Sequence, residues 1–287
     1  MAALFFDTDC ELWYTEADEL GVNVIKMPYT IDDEEYFYDL GRDYDYKHFF
    51  QRMREGAMPI TSALNPQQYT EIFEPFFARG EEILYISFSS ELSGTFNHLQ
   101  TALDDLNARY PGVKFTRFDT KNISAGAGLI VYCGVKYYQQ GHTVEETVAY
   151  LNELTPHIST HFMASDLNHL YRGGRLSKAS AVLGTMLGIK PLIHVTDEGK
   201  LEVYEKAKGE KKVLVSFLAS LAEKGSELDD YPIIILDADN PELGDRLAAK
   251  VKEAYPNVEI WRHPVGPVIG THCGPDLVGL IFHSTHR

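Results

Sequence analysis

Ile83-Leu-Tyr-Ile-Ser-Phe-Ser-Ser-Glu-Leu-Ser-Gly-Thr95 is the stretch from which the rest of the chain is read. It opens as an apolar run of about six residues, the length and composition of a buried strand. It then passes through Ser89, Ser90, Ser93, Gly94 and Thr95, and a helical pattern runs from Phe96 to Leu106. A strand that ends in hydroxyls and opens a helix gathers backbone N–H and side-chain O–H donors about one point. Such a point suits an anionic head group, because a helix N-terminus carries unsatisfied donors and a positive partial charge. The same hydroxyls also serve a helix simply as an N-cap cluster. Both readings stand on this stretch alone.

Working outward, the first half alternates strand and helix. A strand over 2–6 ends at Asp7-Thr-Asp-Cys10, followed by a helix over 14–20 and a strand over 22–28. Residues 32–46 are acidic and rich in tyrosine, without the spacing of a calcium loop. A helix over 46–55 leads to an extended loop over 58–66, where Asn65-Pro66 supplies an N-cap and a first-turn proline for the next helix. Beyond the central strand come a strand over 113–118 and a helix over 125–140, whose Gly126 and Gly128 are too few for a dinucleotide fingerprint. Thr143-Val-Glu-Glu146 is a capping box for a helix ending near Leu154. The alternation predicts an α/β/α domain with a doubly wound, mainly parallel sheet over 1–156.

Residues 157–287 have another rhythm and predict a smaller two-layer α/β domain. Strands are expected over 159–164, 189–195, 201–206, 232–236, 258–263 and 277–283. Helices are expected over 166–170, 211–224 and 241–254, with one more running from the glycine turn at 171–178 to about Leu187. The hairpin turn is Thr196-Asp-Glu-Gly-Lys200, and Gly266-Pro-Val-Ile-Gly-Thr-His-Cys-Gly-Pro275 reads as a rigid loop.

Composition narrows the function. The 287 residues are 44% hydrophobic and 24% charged, as in a globular protein, with a formal net charge of −16. That charge repels phosphate backbones, so no nucleic-acid partner is expected. Cys10, Cys133 and Cys273 are far apart and form no C-x-x-C, which supports neither a zinc ribbon nor a disulfide framework. Met1-Ala-Ala-Leu-Phe-Phe-Asp7 lacks a basic leader region, and no apolar run is long enough for an integral membrane segment, so a cytoplasmic location is expected. There is no P-loop and no metal-ligand spacing; His157 and His161 lie in β-like sequence without the metalloprotease glutamate. Ser93, His272 and an acid such as Asp7 have the residue types of a nucleophilic triad, but Glu-Leu-Ser-Gly-Thr is no G-x-S-x-G elbow.

Seven short motifs occur in order: Asp7-Thr8, Thr61-Ser62, Ser89-Ser-Glu-Leu-Ser-Gly-Thr95, Asp119-Thr-Lys, Arg172-Gly-Gly-Arg-Leu-Ser177, Leu187-Gly-Ile-Lys-Pro191 and the 266–275 loop. With them the chain resembles the DegV family, whose members include the fatty-acid-binding subunits of bacterial fatty acid kinase. The resemblance implies a long-chain fatty acid held between two domains as ligand, with no other cofactor. Its carboxylate would be bound by Thr61, Ser93 and His272, with help from Ser62 and Gly94. It also implies no catalysis by this chain alone, a dihydroxyacetone-kinase-like kinase subunit as partner, and Arg172 near the site mouth or that partner. The chain departs from the family in Thr61-Ser-Ala-Leu-Asn-Pro66, where TSQPS is more usual, and in Asp7-Thr-Asp-Cys10, where DSTAD is. The competing reading is a stand-alone acyl hydrolase or acyltransferase using Ser93 and His272.

Overall fold

The computed structural model describes residues 2–176 and 188–287. Its first sheet is parallel throughout, in the order β2-β1-β6-β7, from β1 (Ala3–Asp7), β2 (Asn23–Ile25), β6 (Ile83–Ser87) and β7 (Phe115–Asp119). Every side chain of β6 is buried, Ser87 included, as befits a strand covered on both faces. Helices α1 (Tyr14–Leu20), α2 (Tyr46–Arg54), α3 (Pro66–Ala78), α4 (Thr95–Arg109), α5 (Ser124–Gln139) and α6 (Val144–Leu154) accompany it.

Two of these helices fix the geometry of the site. In α3 the buried Tyr69, Phe73 and Phe77 recur every fourth residue, one face of a helix. The Phe73 ring lies 5.0 Å from Phe5 of β1 and 4.9 Å from Phe115 of β7, so α3 lies across the sheet. Its start is a full capping box: Asn65 accepts from the Gln68 backbone and the Gln68 side chain returns to the Asn65 N–H, with Pro66 in the first turn. Helix α5 is buried along most of its length and presses on the short 3-10 turn Thr8–Cys10 that follows β1. A Cβ on Gly128 would lie 2.4 Å from the Cys10 carbonyl oxygen, so only glycine permits that approach.

The second sheet has the order β10-β9-β8-β13-β11-β12, from β8 (Ile158–Met163), β9 (Ile189–Val195), β10 (Leu201–Lys208), β11 (Ile233–Asp237), β12 (Ile260–Pro264) and β13 (Val278–His283). Helices α7 (Asn168–Arg172), α8 (Gly209–Lys224), α9 (Pro241–Ala254) and α10 (Pro267–Cys273) belong to this half. The two-residue period of its strands divides them between two cores. Ile233, Ile235, Val278, Leu280 and Phe282 pack with Phe217 and Leu221 of α8 and Leu247 and Val251 of α9. Phe162, Ile193, Ile234, Leu236 and Ile281 point the other way and join the core of the first sheet. The chain is therefore α/β with a parallel first sheet, as the sequence predicts, and a further, mixed sheet.

Four details differ from the expectations. The strand over 22–28 is interrupted: β2 stops at Ile25, and β3 (Pro28–Ile31) belongs to a separate antiparallel sheet with β4 (Glu34–Phe37) and β5 (Ile60–Thr61). The β3–β4 turn has positive φ at Asp32 (53°) and Asp33 (64°), a type I′ geometry that usually announces itself by glycine. Residues 58–66 are not all loop, since β5 pairs with β3 through Tyr29 opposite Thr61. The rigid loop over 266–275 contains α10, opened by Gly266-Pro267 and closed by Gly274 at φ 74°. The second half mixes strand directions, because β11 and β12 are parallel and joined through α9 while the other pairs are antiparallel. The expected helix reaching Leu187 falls on residues outside those described.

Candidate functional site

Between the two sheets lies a cavity of about 1060 Å³, open mouth included. Most of its wall is apolar, with Met27, Phe88, Phe162, Leu236, Leu277 and Ile281 contributed by both halves. Thr61, Ser62, Ser93, Gly94 and His272, all expected at the site, line this one cavity.

Thr61 ends β5 and His272 lies in the last turn of α10; Thr61 Oγ1 and His272 Nε2 form a hydrogen bond of 2.9 Å. Burial, reinforced by the charges of Arg175 and Arg172, drives the imidazole down to about 3, so the ring is neutral at physiological pH. Its Nδ1 is buried without a hydrogen-bond partner among the described residues. Gly173 makes room for that edge, since a Cβ there would lie 2.2 Å from Nδ1. Ser93 Oγ accepts from the Thr95 N–H at 3.2 Å just before α4, whose N-cap is Gly94, and the same hydroxyl lies in the cavity wall. Gly94 leaves open space where a Cβ would stand.

The hydroxyls and the imidazole are neutral donors at the edge of an apolar void. A carboxylate withdrawn from water needs such donors, and hydrogen bonds to the ionised group are the stronger kind. The arrangement for nucleophilic attack is not present among the described residues: His272 Nε2 is bonded to Thr61 rather than Ser93, and no carboxylate orients Nδ1.

The two arginines of the glycine turn part company. Arg172 is exposed, touches His169 Nδ1 at 3.3 Å and does not line the cavity. Arg175 does line it; its Nε donates to the Leu92 carbonyl at 2.9 Å and its Nη1 to that of Gly173. A second, more open and polar hollow adjoins the first and shares Leu92, Ser93, Gly94 and Arg175 with it, adding Asn97, Gln100 and Arg117. Sequence reasoning also passed over Asp9 and Ser124, which line the cavity, and the buried Glu11 behind them. The signal was the run of acids in Asp7-Thr-Asp-Cys-Glu11 at a strand end. Among the described residues no helix is long and apolar enough to cross a membrane.

Two α/β halves, closing an apolar cavity whose polar edge includes Ser93 and Gly94 beyond the C-terminal end of the parallel strand β6, define a small-molecule binding protein of the two-domain α/β class. The chain belongs to the DegV family: the family model described as "Uncharacterised protein, DegV family" matches residues 1–285. A DegV domain-containing protein of Clostridium perfringens is 33% identical over 279 residues, spanning 97% of this chain and 96% of that protein. Among solved structures, a DegV family protein from Thermus thermophilus, described for its fatty acid binding, superposes with a TM-score of 0.85 at 26% identity, covering 99% of both chains. The fatty acid binding DegV family protein of Streptococcus agalactiae gives a TM-score of 0.83 at 26% identity over 98% of this chain and 99% of its own.

Proposed function

We propose that this protein binds a long-chain fatty acid with its acyl chain in the cavity between the sheets and its carboxylate on Thr61, Ser93 and His272. Ser62 and Gly94 complete the polar edge. The observation that carries the reading is the Thr61–His272 hydrogen bond on the rim of an apolar void that also contains Ser93. Fatty acid binding by relatives that superpose over nearly the whole chain supports it. Burial of each CH₂ contributes roughly 0.8 kcal/mol, so the acyl chain supplies the affinity and the head-group donors supply orientation.

The chain presents the carboxylate to a separate ATP-dependent kinase of the dihydroxyacetone-kinase-like type and carries the acyl phosphate that results. The polar hollow beside Ser93 and Gly94 gives a partner's nucleotide a route to the carboxylate. Arg172, exposed nearby, meets the kinase or the transferred phosphoryl group. This chain needs no metal or cofactor of its own in that division of labour, and the cytoplasm, where ATP is, is its place of work.

The test has two stages. Lipid extracted from the purified protein and identified by mass spectrometry should be a fatty acid; no lipid on extraction, with no uptake of added palmitate or oleate, refutes the binding reading. ATP-dependent acyl phosphate, trapped as hydroxamate, should then form only when a kinase subunit is added. Product from this chain alone overturns the carrier assignment.

A further inference from the structure

Three carboxyl groups are buried in succession at the end of β1, and two are occupied by structure. Asp7 accepts from the Asp9 N–H at 3.1 Å, from the Tyr85 hydroxyl at 2.8 Å and from the Phe88 N–H at 3.2 Å. Glu11 accepts from the Gly266 N–H and meets the Ser124 hydroxyl. Asp9 is different. Its residue is only 6% exposed, it lines the cavity, and its Oδ1 is buried with no hydrogen-bond partner among the described residues.

A buried polar atom without a partner needs a reason, because leaving it unmatched costs about 1–3 kcal/mol. An acyl wall needs no carboxyl, and a methylene offers it nothing to bond. The position supplies the reason. β1 and β6 are adjacent parallel strands, and Asp7 at the end of one is bonded to Phe88 just past the end of the other. Asp9 therefore stands at the same strand-end crevice from which Ser93 and Gly94 continue. Arg175 lies near enough for its charge to act on both Asp9 and His272, yet makes no ion pair with Asp9. Burial, with Asp7 and Glu11 adding to it, keeps the Asp9 carboxyl protonated well above the usual carboxylate range, leaving one O–H to donate.

We propose that Asp9 is a further head-group residue, a neutral carboxyl that donates its proton's hydrogen bond to a carboxylate oxygen of the bound fatty acid. The inference rests on the fatty acid reading above. Asp9 and the ligand then share one proton between two carboxyl groups, and no bond is made or broken. Loss of that proton at alkaline pH sets two carboxylates against each other and expels the ligand. The charged and titratable groups around Asp9 are Asp7, Cys10 and Glu11 from its own segment, Tyr38 and Tyr69, and Arg175; burial holds the thiol and both phenols neutral.

The experiment is palmitate binding to the full chain by calorimetry from about pH 6 to about pH 9, a window above the ordinary carboxylate range and below the tyrosines. Wild type, Asp9→Asn and Asp9→Leu are compared. Wild-type affinity should fall on the alkaline side. Asp9→Asn keeps an N–H donor, so it should bind at neutral pH and lose much of the alkaline decline. Asp9→Leu should bind about tenfold more weakly at neutral pH. Wild-type affinity in Asp9→Leu, or an unchanged pH profile in Asp9→Asn, overturns the proposal; if Asp9→Leu does not fold, the Asp9→Asn profile decides. A wild type that takes up no palmitate at any pH refutes the fatty acid reading instead.

Discussion

Thr61 Oγ1 and His272 Nε2 stand 2.9 Å apart although 211 residues separate them in the chain, and the bond crosses from the small antiparallel sheet to the second half of the molecule. Neither residue has another side-chain partner among the described residues. The pair is therefore held ready by its own hydrogen bond rather than fixed by a network, and a ligand oxygen can join it at little structural cost. Thr61→Val and His272→Ala should each weaken palmitate binding by about 1–3 kcal/mol, the loss of one donor to a desolvated carboxylate. Ser93→Ala should do the same. Calorimetric titration checks all three, and unchanged affinity in every one removes the head-group assignment. A hydrolase would behave otherwise, with ester turnover abolished in Ser93→Ala and little changed in Thr61→Val.

Gly173 gives a test that replaces none of the proposed ligands. Its φ of −70° suits any residue, so alanine brings no backbone strain. Its Cβ, however, would stand 2.2 Å from His272 Nδ1 and force the ring from its position. Gly173→Ala should lower fatty acid affinity as much as His272→Ala while thermal stability changes little. Wild-type affinity in this variant means the ring position does not govern binding.

Much of the frame was legible in the sequence because its signals are local. The largely apolar run of β6, the N-cap at Asn65, the capping box at Thr143 and the span of α9 from Pro241 to Ala254 are set by residues within a few positions of each other. The β3–β4 hairpin was not, since Asp32-Asp33 adopts positive φ without glycine and β4 is exposed at every residue, leaving no alternation to read. Helix α10 carries start and stop signals in Pro267 and Gly274, but seven residues show no helical period, and proline with glycine at both ends reads as loop. Ser93 and His272 were named through motifs. Arg175 and Asp9 join them in one cavity wall only when the glycine turn and the end of β1 meet, a meeting of distant segments that the run of acids at 7–11 does not by itself specify.

Glu11 ties stability to pH. Burial raises its carboxyl from 4.5 to about 7, against hydrogen bonds from Ser124 and Gly266 that pull the other way. The folded state thus holds a proton that the unfolded chain gives up above about pH 4.5. As pH rises from there to about 7, the folded protein binds more protons than the unfolded one, so this group's contribution to stability falls with rising pH. His272, held down at about 3, acts in the opposite sense: the unfolded ring takes up a proton below about 6.5 and stability drops as pH falls. Glu11→Gln keeps an acceptor for Gly266 and removes only the first effect. Its stability relative to wild type should improve between about pH 5 and pH 8, by an amount on the order of 3 kcal/mol. Urea melts at the two pH values check this, and a constant difference between them shows that Glu11 is ionised in the fold.

The two arginines of the glycine turn should separate binding from transfer. Arg175 lines the cavity, anchored to the Leu92 and Gly173 carbonyls, and so positions the wall beside Ser93 as well as contributing charge. Arg172 is exposed, hydrogen-bonds through its side chain to His169 alone among the described residues and does not line the cavity. A guanidinium in that setting has donors free for a carboxylate on a partner or for a phosphoryl oxygen. Arg175→Ala should therefore weaken palmitate binding, and acyl phosphate formation with it. Arg172→Ala should leave palmitate affinity close to wild type while lowering hydroxamate-trapped product in the presence of a dihydroxyacetone-kinase-like subunit and ATP. If contact with the kinase is its role, the loss should appear as a raised requirement for the kinase subunit; if it steadies the phosphoryl group, the maximal rate should fall at saturating kinase. An Arg172→Ala variant that loses fatty acid affinity alone places the residue at the ligand and removes it from the transfer step.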